Sequence, residues 1–397
     1  YRPLNFNVSG GSANIKVWST WQETKLSKLE GELEYNDFDT RAGDSTLHIQ
    51  ELAYRFSGER IEEDGWQFQL NLNHLLTDNG HWPETNIVIS ATRNNKNKDY
   101  RYSASFNYLK LDDLNPFVRN LTFLPDTVKD KLASLSIHGE LSQGKMIYNP
   151  ENAAAQRLRF DTKFAGLDTD FGPQYPSLSN LSGHLYGYLD QGVISLDTDD
   201  VRLKFDLLEN KNLQLEHLKG KINWSKTQEE WKIETALLHI RSTDLSARLV
   251  GSVARINDNS SPFIDITVAL DETDLADIHE YIPYTPRFKF RDWMKRSVPG
   301  GTLSSASAIF RGYLSDFPFD SHNGRFKLIA DTTNVTLDYS RFWPPVDNID
   351  AEIIIDGRAL YARFRQGRIF SADISSANAT IIDILNKNKT VILEGHV

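Results

Sequence analysis

Cysteine is missing from this chain, and that one absence excludes disulfides, thiolate metal sites, iron-sulfur ligation and a thiol nucleophile together. A cysteine-free chain of 397 residues fits envelope space, where stray thiols pair wrongly, better than the cytosol. Basic charge is in deficit as well. With 44 Lys and Arg against 54 Asp and Glu, the net charge is -10, which argues against nucleic acid as a partner and against an electrostatic grip on anionic membrane surfaces. No apolar run approaches the roughly 18 residues of a membrane-crossing helix, no charged-then-apolar leader opens the sequence, and the first residue is Tyr1. The chain therefore reads as an excerpt, with any targeting or anchoring segment outside it. Few stretches hold a 3.6-residue period over three turns, so crossover helices are not expected and antiparallel strands joined by hairpins become the default. The 10 histidines include no pair spaced i,i+4 on a helix, and neither a metal nor another cofactor is expected.

Alternation is what the sequence has in abundance. Val201, Leu203, Phe205 and Leu207 alternate with polar residues, as do Leu245, Ala247 and Leu249, and Leu360, Ala362 and Phe364. Asp64-Gly65, Asn79-Gly80, Gln143-Gly144, Gln191-Gly192, Asp356-Gly357 and Gln366-Gly367 read as the hairpin turns between such runs. One pattern recurs: apolar, spacer, glycine, spacer, apolar. It is carried by Leu29-Gly31-Leu33, Ile137-Gly139-Leu141, Leu181-Gly183-Leu185, Leu218-Gly220-Ile222, Leu249-Gly251-Val253, Phe310-Gly312-Leu314 and Leu393-Gly395-Val397. A period of two puts all three marked residues on one strand face, so each copy predicts a strand whose inner face is apolar but locally open at the glycine.

Two segments break the alternation in the same way, about 160 residues apart. Residues 109–141 and 270–300 each read as a short helical insertion bounded by proline or glycine, expected to cover one end or edge of the sheet. The implied organisation is a β-sheet segment over 1–108, the insertion 109–141, a second β segment over 142–269, the insertion 270–300 and a third β segment over 301–397 of one continuous body.

Within the second insertion and the strand after it, Tyr281-Ile282-Pro283, Trp293-Met294-Lys295-Arg296, Gly300-Gly301-Thr302-Leu303 and Phe310-Arg311-Gly312-Tyr313-Leu314-Ser315-Asp316-Phe317-Pro318-Phe319 stand in order. This block resembles the YhdP branch of the AsmA-like envelope proteins, most specifically over residues 270–330. The resemblance implies a mainly β fold, an elongated and strongly twisted antiparallel sheet curled into a hydrophobic trough with a few short helices. It also implies a periplasmic section of an inner-membrane-anchored protein that moves phospholipid towards the outer membrane. The alternative is an AsmA-like scaffold that assists outer-membrane protein assembly by offering strand edges.

Catalysis is not expected. Gly43-Asp44-Ser45-Thr46 approaches a lipolytic nucleophile block, but the strand-like Leu47, Ile49 and Leu52 follow where a helix is needed, so a hairpin turn is the simpler reading, with His48 an outward strand residue. Asp197, Asp199 and Asp200 lack the glycine and terminal glutamate of a calcium loop and read as a solvated turn. What remains is the apolar face itself. Its expected lining, in contact with phospholipid acyl chains, is Leu185, Leu189, Leu203, Phe205, Ile222, Trp224, Ile233, Leu249, Val253, Phe310, Leu314, Phe326, Leu328, Val335, Leu337, Ile353, Ile355 and Phe364.

Overall fold

The computed structural model describes residues 7–42, 45–61, 65–93, 99–114, 138–170, 176–206, 208, 212–256, 261–282, 290–339, 343–386 and 390–396. Its strands fall into two compact units that divide between Ile194 and Ser195. The first holds β1 (Asn7–Ser9), β2 (Ser12–Gln22), β3 (Lys25–Ala42), β4 (Ser45–Ile61), β5 (Gly65–Thr77), β6 (Gly80–Trp82), β7 (Thr85–Arg93), β8 (Tyr100–Lys110), the four-residue helix α1 (Leu111–Leu114), β9 (His138–Tyr148), β10 (Leu158–Thr169) and β11 (Ser177–Tyr188). β12 (Gln191–Lys204) falls on both sides of the division. The second unit continues with β13 (Asn212–Lys226), β14 (Glu230–Ser242), β15 (Ser246–Ile256), β16 (Phe263–Leu270), β17 (Thr273–Asp274), α2 (Phe290–Ser297), β18 (Gly300–Tyr313), β19 (Arg325–Leu337), β20 (Val346–Asp356), β21 (Ala359–Ile369), β22 (Ala372–Ile374), β23 (Ser376–Ile381) and β24 (Val391–His396). The pairings described within each unit are antiparallel and link strands adjacent or next but one in sequence.

The strands are not uniformly pleated. Asp37, Gln143, Asn180, Asp200, Asn334 and Asn348 sit inside strands with positive φ, a conformation that short Asn and Asp side chains tolerate best. The pairing register slips beside Gln143, Asn180, Asn334 and Asn348, as in a β-bulge. Each slip resets the phase of the alternation. In β19 the residues facing one side are Phe326, Leu328, Ala330 and Thr332 before Asn334, and Val335 and Leu337 after it. Two expected turns are corrected by this geometry. Gln143-Gly144 lies inside β9 and Gln366-Gly367 inside β21, and the backbone twist at Gln143 (φ 51°) serves a bulge rather than a hairpin.

Where the helical insertions are described, they pack on the sheet. In the first unit, Asp113 of α1 is buried, and its carboxylate accepts hydrogen bonds from Asn79 Nδ2 (2.7 Å), Trp82 Nε1 (2.5 Å) and Thr77 Oγ1 (3.0 Å). A polar group at that depth is stable only when hydrogen-bonded, and the network fixes α1 against the β5–β6 hairpin. In the second unit, Leu275, Ile278, Met294 and Val298 pack with Leu303, Ala330, Val335, Ile349 and Ala351, so α2 and the turn before it cover one end of the strands. The expected second helix of the 109–141 insertion lies outside the described residues, as do Ile137, Leu207, Pro283 and Val397.

Candidate functional site

In the second unit the registers put apolar side chains opposite one another across successive strands. One row runs through Leu218, Ile240, Ala247, Leu270, Ala306, Ala330, Ile353, Ala362, Ala379 and Leu393. The next row on the same face is Gly220, Leu238, Leu249, Val268, Ala308, Leu328, Ile355, Leu360, Ile381 and Val391. Neither row contains a polar side chain. At about 4.8 Å per inter-strand step, each follows the sheet for about 43 Å. Most of the larger residues in the middle strands are half-buried, and the rows end at exposed Leu393 (68%) and Val391 (56%). The opposite face carries charge: Arg311 pairs with Asp265 (3.6 Å), Arg325 with Asp356 (3.6 Å) and Arg365 with Asp331 (2.9 Å), all solvent-exposed and contributing little to stability.

The two rows run between two clusters that cover parts of the sheet. At one end of the strands stands the α2 cluster, which includes Ala330 of the first row and against which Leu270, Ala306, Ile353 and Leu328 also pack. At the other, the Asp316-Phe317-Pro318-Phe319 turn folds its rings back onto the sheet, with Phe317 5.7 Å from Phe310 and 5.6 Å from Phe326, and Phe319 5.2 Å from Phe310. Arg358 anchors that turn. Its guanidinium donates to both Asp320 oxygens (2.5 and 2.6 Å) and reaches Asp383 at 3.3 Å.

The first unit has an equivalent face. Val17, Gly31, Phe56, Leu70, Ile87, Phe106 and Gly144 form one cross-strand row; Leu29, Gly58, Phe68, Ile89, Ala104, Met146 and Phe160 form the next. Here the glycines correct the expectation of open space. A Cβ on Gly31 would meet the Phe56 ring at 2.5 Å, one on Gly58 the Phe68 ring at 2.8 Å, and one on Gly144 the Phe106 ring at 1.9 Å. Each slot is filled by the phenylalanine directly across the ladder, a known device for supporting glycine in sheets. Gly251 is different: its φ is +137° and an added Cβ would lie 2.0 Å from the Asp265 carbonyl, so backbone occupies the space.

The residues singled out from sequence are placed as follows. Leu249, Leu328, Ile353 and Ile355 sit in the two long rows. Trp224, Ile233 and Val253 form a further row on that face, nearer the strand ends, and Ile222 lies in the slipped stretch of β13. Val335, Leu337 and Phe364 belong to the cluster under α2, while Phe310 and Phe326 belong to the phenylalanine cluster. Leu203 and Phe205 are half-buried at the end of β12, between exposed Arg202, Lys204 and Asp206. Leu185 is in β11 of the first unit and Leu189 in the turn after it. Leu314 lies past the end of β18 in a 3-10 turn, 51% exposed, so the Phe310-Gly312-Leu314 copy is not wholly strand. Sequence reasoning passed over the alanines, whose small side chains give a weak alternation signal, and Leu270, which closes β16 instead of opening a helical insertion.

The polar candidates resolve into surface pairs. His48 lies in β4 with Nδ1 2.9 Å from Asp39 Oδ1, a hydrogen bond that raises its pKa; Gly43 and Asp44 lie outside the described residues. Asp197, Asp199 and Asp200 lie within β12, which corrects the expected turn. Asp197 receives Lys219 Nζ at 2.7 Å, which holds its carboxyl below the usual range, and Asp199 faces His217 Nδ1 at 2.6 Å. Among the described residues no group of carboxylates and histidines is arranged to hold a metal, and no helix is long and apolar enough to cross a membrane.

Comparison with known proteins places residues 3–397 within the model of a family described as YhdP protein. A curated relative, the intermembrane phospholipid transporter YhdP of Escherichia coli (strain K12), is 20% identical over 397 residues, an alignment covering 93% of this chain and 30% of the relative. The chain thus spans about a third of that protein's length. No solved structure matches.

Proposed function

Since this chain belongs to the YhdP family, we propose that it forms one section of a lipid carrier that moves phospholipid between the inner and outer membranes, in the periplasm and without covalent chemistry. Acyl chains lie along the cross-strand apolar rows while headgroups stay at the strand ends. The observation that carries this reading is the pair of rows through β13 to β24, free of polar side chains, while the other face mixes exposed ion pairs with apolar residues such as Ile309 and Ile354. Exposing a sixteen-carbon chain to water costs on the order of 12 kcal/mol, at about 0.8 kcal/mol per methylene. A floor of aliphatic side chains removes most of that cost at every step, and its near uniformity lets a chain slide without a deep trap.

The test is a comparison of faces. Photo-crosslinking residues at positions 249 and 328 should capture phospholipid, and those at 250 and 327, on the opposite face, should not. Equal capture from both faces would reject the assignment. A second reading, the assembly scaffold, is favoured by one observation: β2 pairs only with β3 among the described residues and leaves Ile15, Val17, Trp18 and Trp21 more than half exposed. Ala308→Asp separates the two. A charge in the floor should stop lipid passage and leave an edge-based activity intact.

A further inference from the structure

We propose that phospholipid headgroups project from the apolar face of the first unit at one set of strand ends only, where Trp66, Tyr100, Tyr102 and Tyr148 form an aromatic rim. This orientation rests on the lipid-carrier reading. The rim continues the face in phase. Along β5 the residues on that face run from Leu70 through Phe68 to Trp66, and along β8 from Phe106 through Ala104 to Tyr102 and Tyr100, with no slip in the β5–β7–β8 register. Trp66, Ala91, Tyr102 and Tyr148 then form a cross-strand row of their own, one step out from Phe68, Ile89, Ala104 and Met146. The rings lean on one another: Trp66 stacks on Phe68 at 6.0 Å, and Tyr102 stands 6.3 Å from both Tyr100 and Tyr148.

The two ends of these strands differ in cover. At the far end Leu72, Leu75 and Trp82 are at most 9% exposed, with Phe38, Ile49 and Leu114 of α1 packed against them. At the rim end Phe68 is 51% exposed, Ile89 46%, Tyr102 42% and Tyr100 38%. A headgroup at the far end would be stripped of water beside a polar network, that of Asp113 with Thr77, Asn79 and Trp82, whose members already satisfy one another. At the rim the same group stays hydrated, while its ester region meets rings that are apolar on their faces and polar at the tip. Aromatic belts mark the boundary between hydrocarbon and water in membrane proteins for the same reason. Each lipid on this unit therefore has one orientation across the strands, with its acyl chains on the rows inward of the rim.

Two photoreactive dioctanoyl phosphatidylethanolamines test the orientation, one with a diazirine on the ethanolamine nitrogen and one with it at the end of an acyl chain. Each is added to the unaltered chain below its micelle concentration, and the labelled residues are mapped by tandem mass spectrometry. The headgroup probe should label Trp66, Tyr100 and Tyr102 at least about tenfold more than Leu72, Leu75 and Leu109, and the tail probe should favour residues inward of the rim such as Leu70 and Ile87. Trp18, 53% exposed on the opposite face, controls for labelling by exposure alone. Headgroup labels concentrated at the α1 end, spread equally over both ends, or matched by the tail probe would overturn the orientation and leave the carrier reading standing. Labelling of Trp18 equal to that of the rim would overturn it as well. Absence of both probes from the apolar face would overturn the carrier reading itself.

Discussion

Phe106 and Gly144 face each other across β8 and β9, and neither is intelligible alone. The ring is buried because the residue opposite has no side chain, and Gly144 is tolerated in a strand because the ring replaces what it lacks. Gly144→Val should therefore destabilise the fold by about 1–3 kcal/mol through overpacking. Phe106→Ala should cost about 3–5 kcal/mol on its own. Combined, the two should cost clearly less than their sum, as measured by urea denaturation; strict additivity would mean that the ring does not occupy the slot. Asn334 is a second such position. At φ 52° its amide N–H donates to Asp350 Oδ1 at 2.9 Å, so Asn334→Gly should be close to neutral. Asn334→Val should cost about 1–2 kcal/mol, the ordinary expense of a left-handed residue with a branched side chain. Equal stability of the two variants would dismiss the conformational argument.

The strands themselves were legible in the sequence because period-two alternation survives between bulges, as Leu360, Ala362 and Phe364 illustrate in β21. The bulges were not. Gln143-Gly144 carries the same residue types as a hairpin turn, and only the partner strand decides between turning back and stepping out of phase. Pairings such as Phe106 with Gly144 were hidden for the same reason, since register is fixed by contacts between residues far apart in sequence. The block resembling YhdP proteins was readable as a motif, yet its role as a cover emerges only when Phe317 and Phe319 are seen against Phe310 and Phe326. That cover has a testable electrostatic anchor. The hydrogen bonds from Arg358 hold the Asp320 carboxyl below its ordinary range. A depressed carboxyl contributes stability above its unfolded pKa of about 3.9 and loses it as pH falls through the folded value. Urea unfolding should thus show the unaltered chain more stable than Arg358→Gln at pH 7, with the gap closing towards pH 3. A gap independent of pH would show that the arginine acts through packing alone.

At the scale of the whole chain, the two units share one design: an apolar face of cross-strand rows backed by a face carrying ion pairs. If those faces carry lipid, organic extracts of the purified chain should contain phospholipid by mass spectrometry, and Ala308→Asp should reduce the amount recovered at unchanged melting temperature. Recovery unaffected by the substitution would place the lipid elsewhere. The antiparallel connectivity has a further consequence, for how such a chain comes to be folded and lengthened. The described partners are near neighbours along the chain, so most pairings close only a short loop and the entropy of closure stays small at each step. Folding can advance hairpin by hairpin from wherever it begins, without waiting for distant segments. Duplicating a hairpin adds two strands to the ladder while displacing no existing contact except those across the point of insertion, so length is a property that gene duplication can change without redesigning the fold.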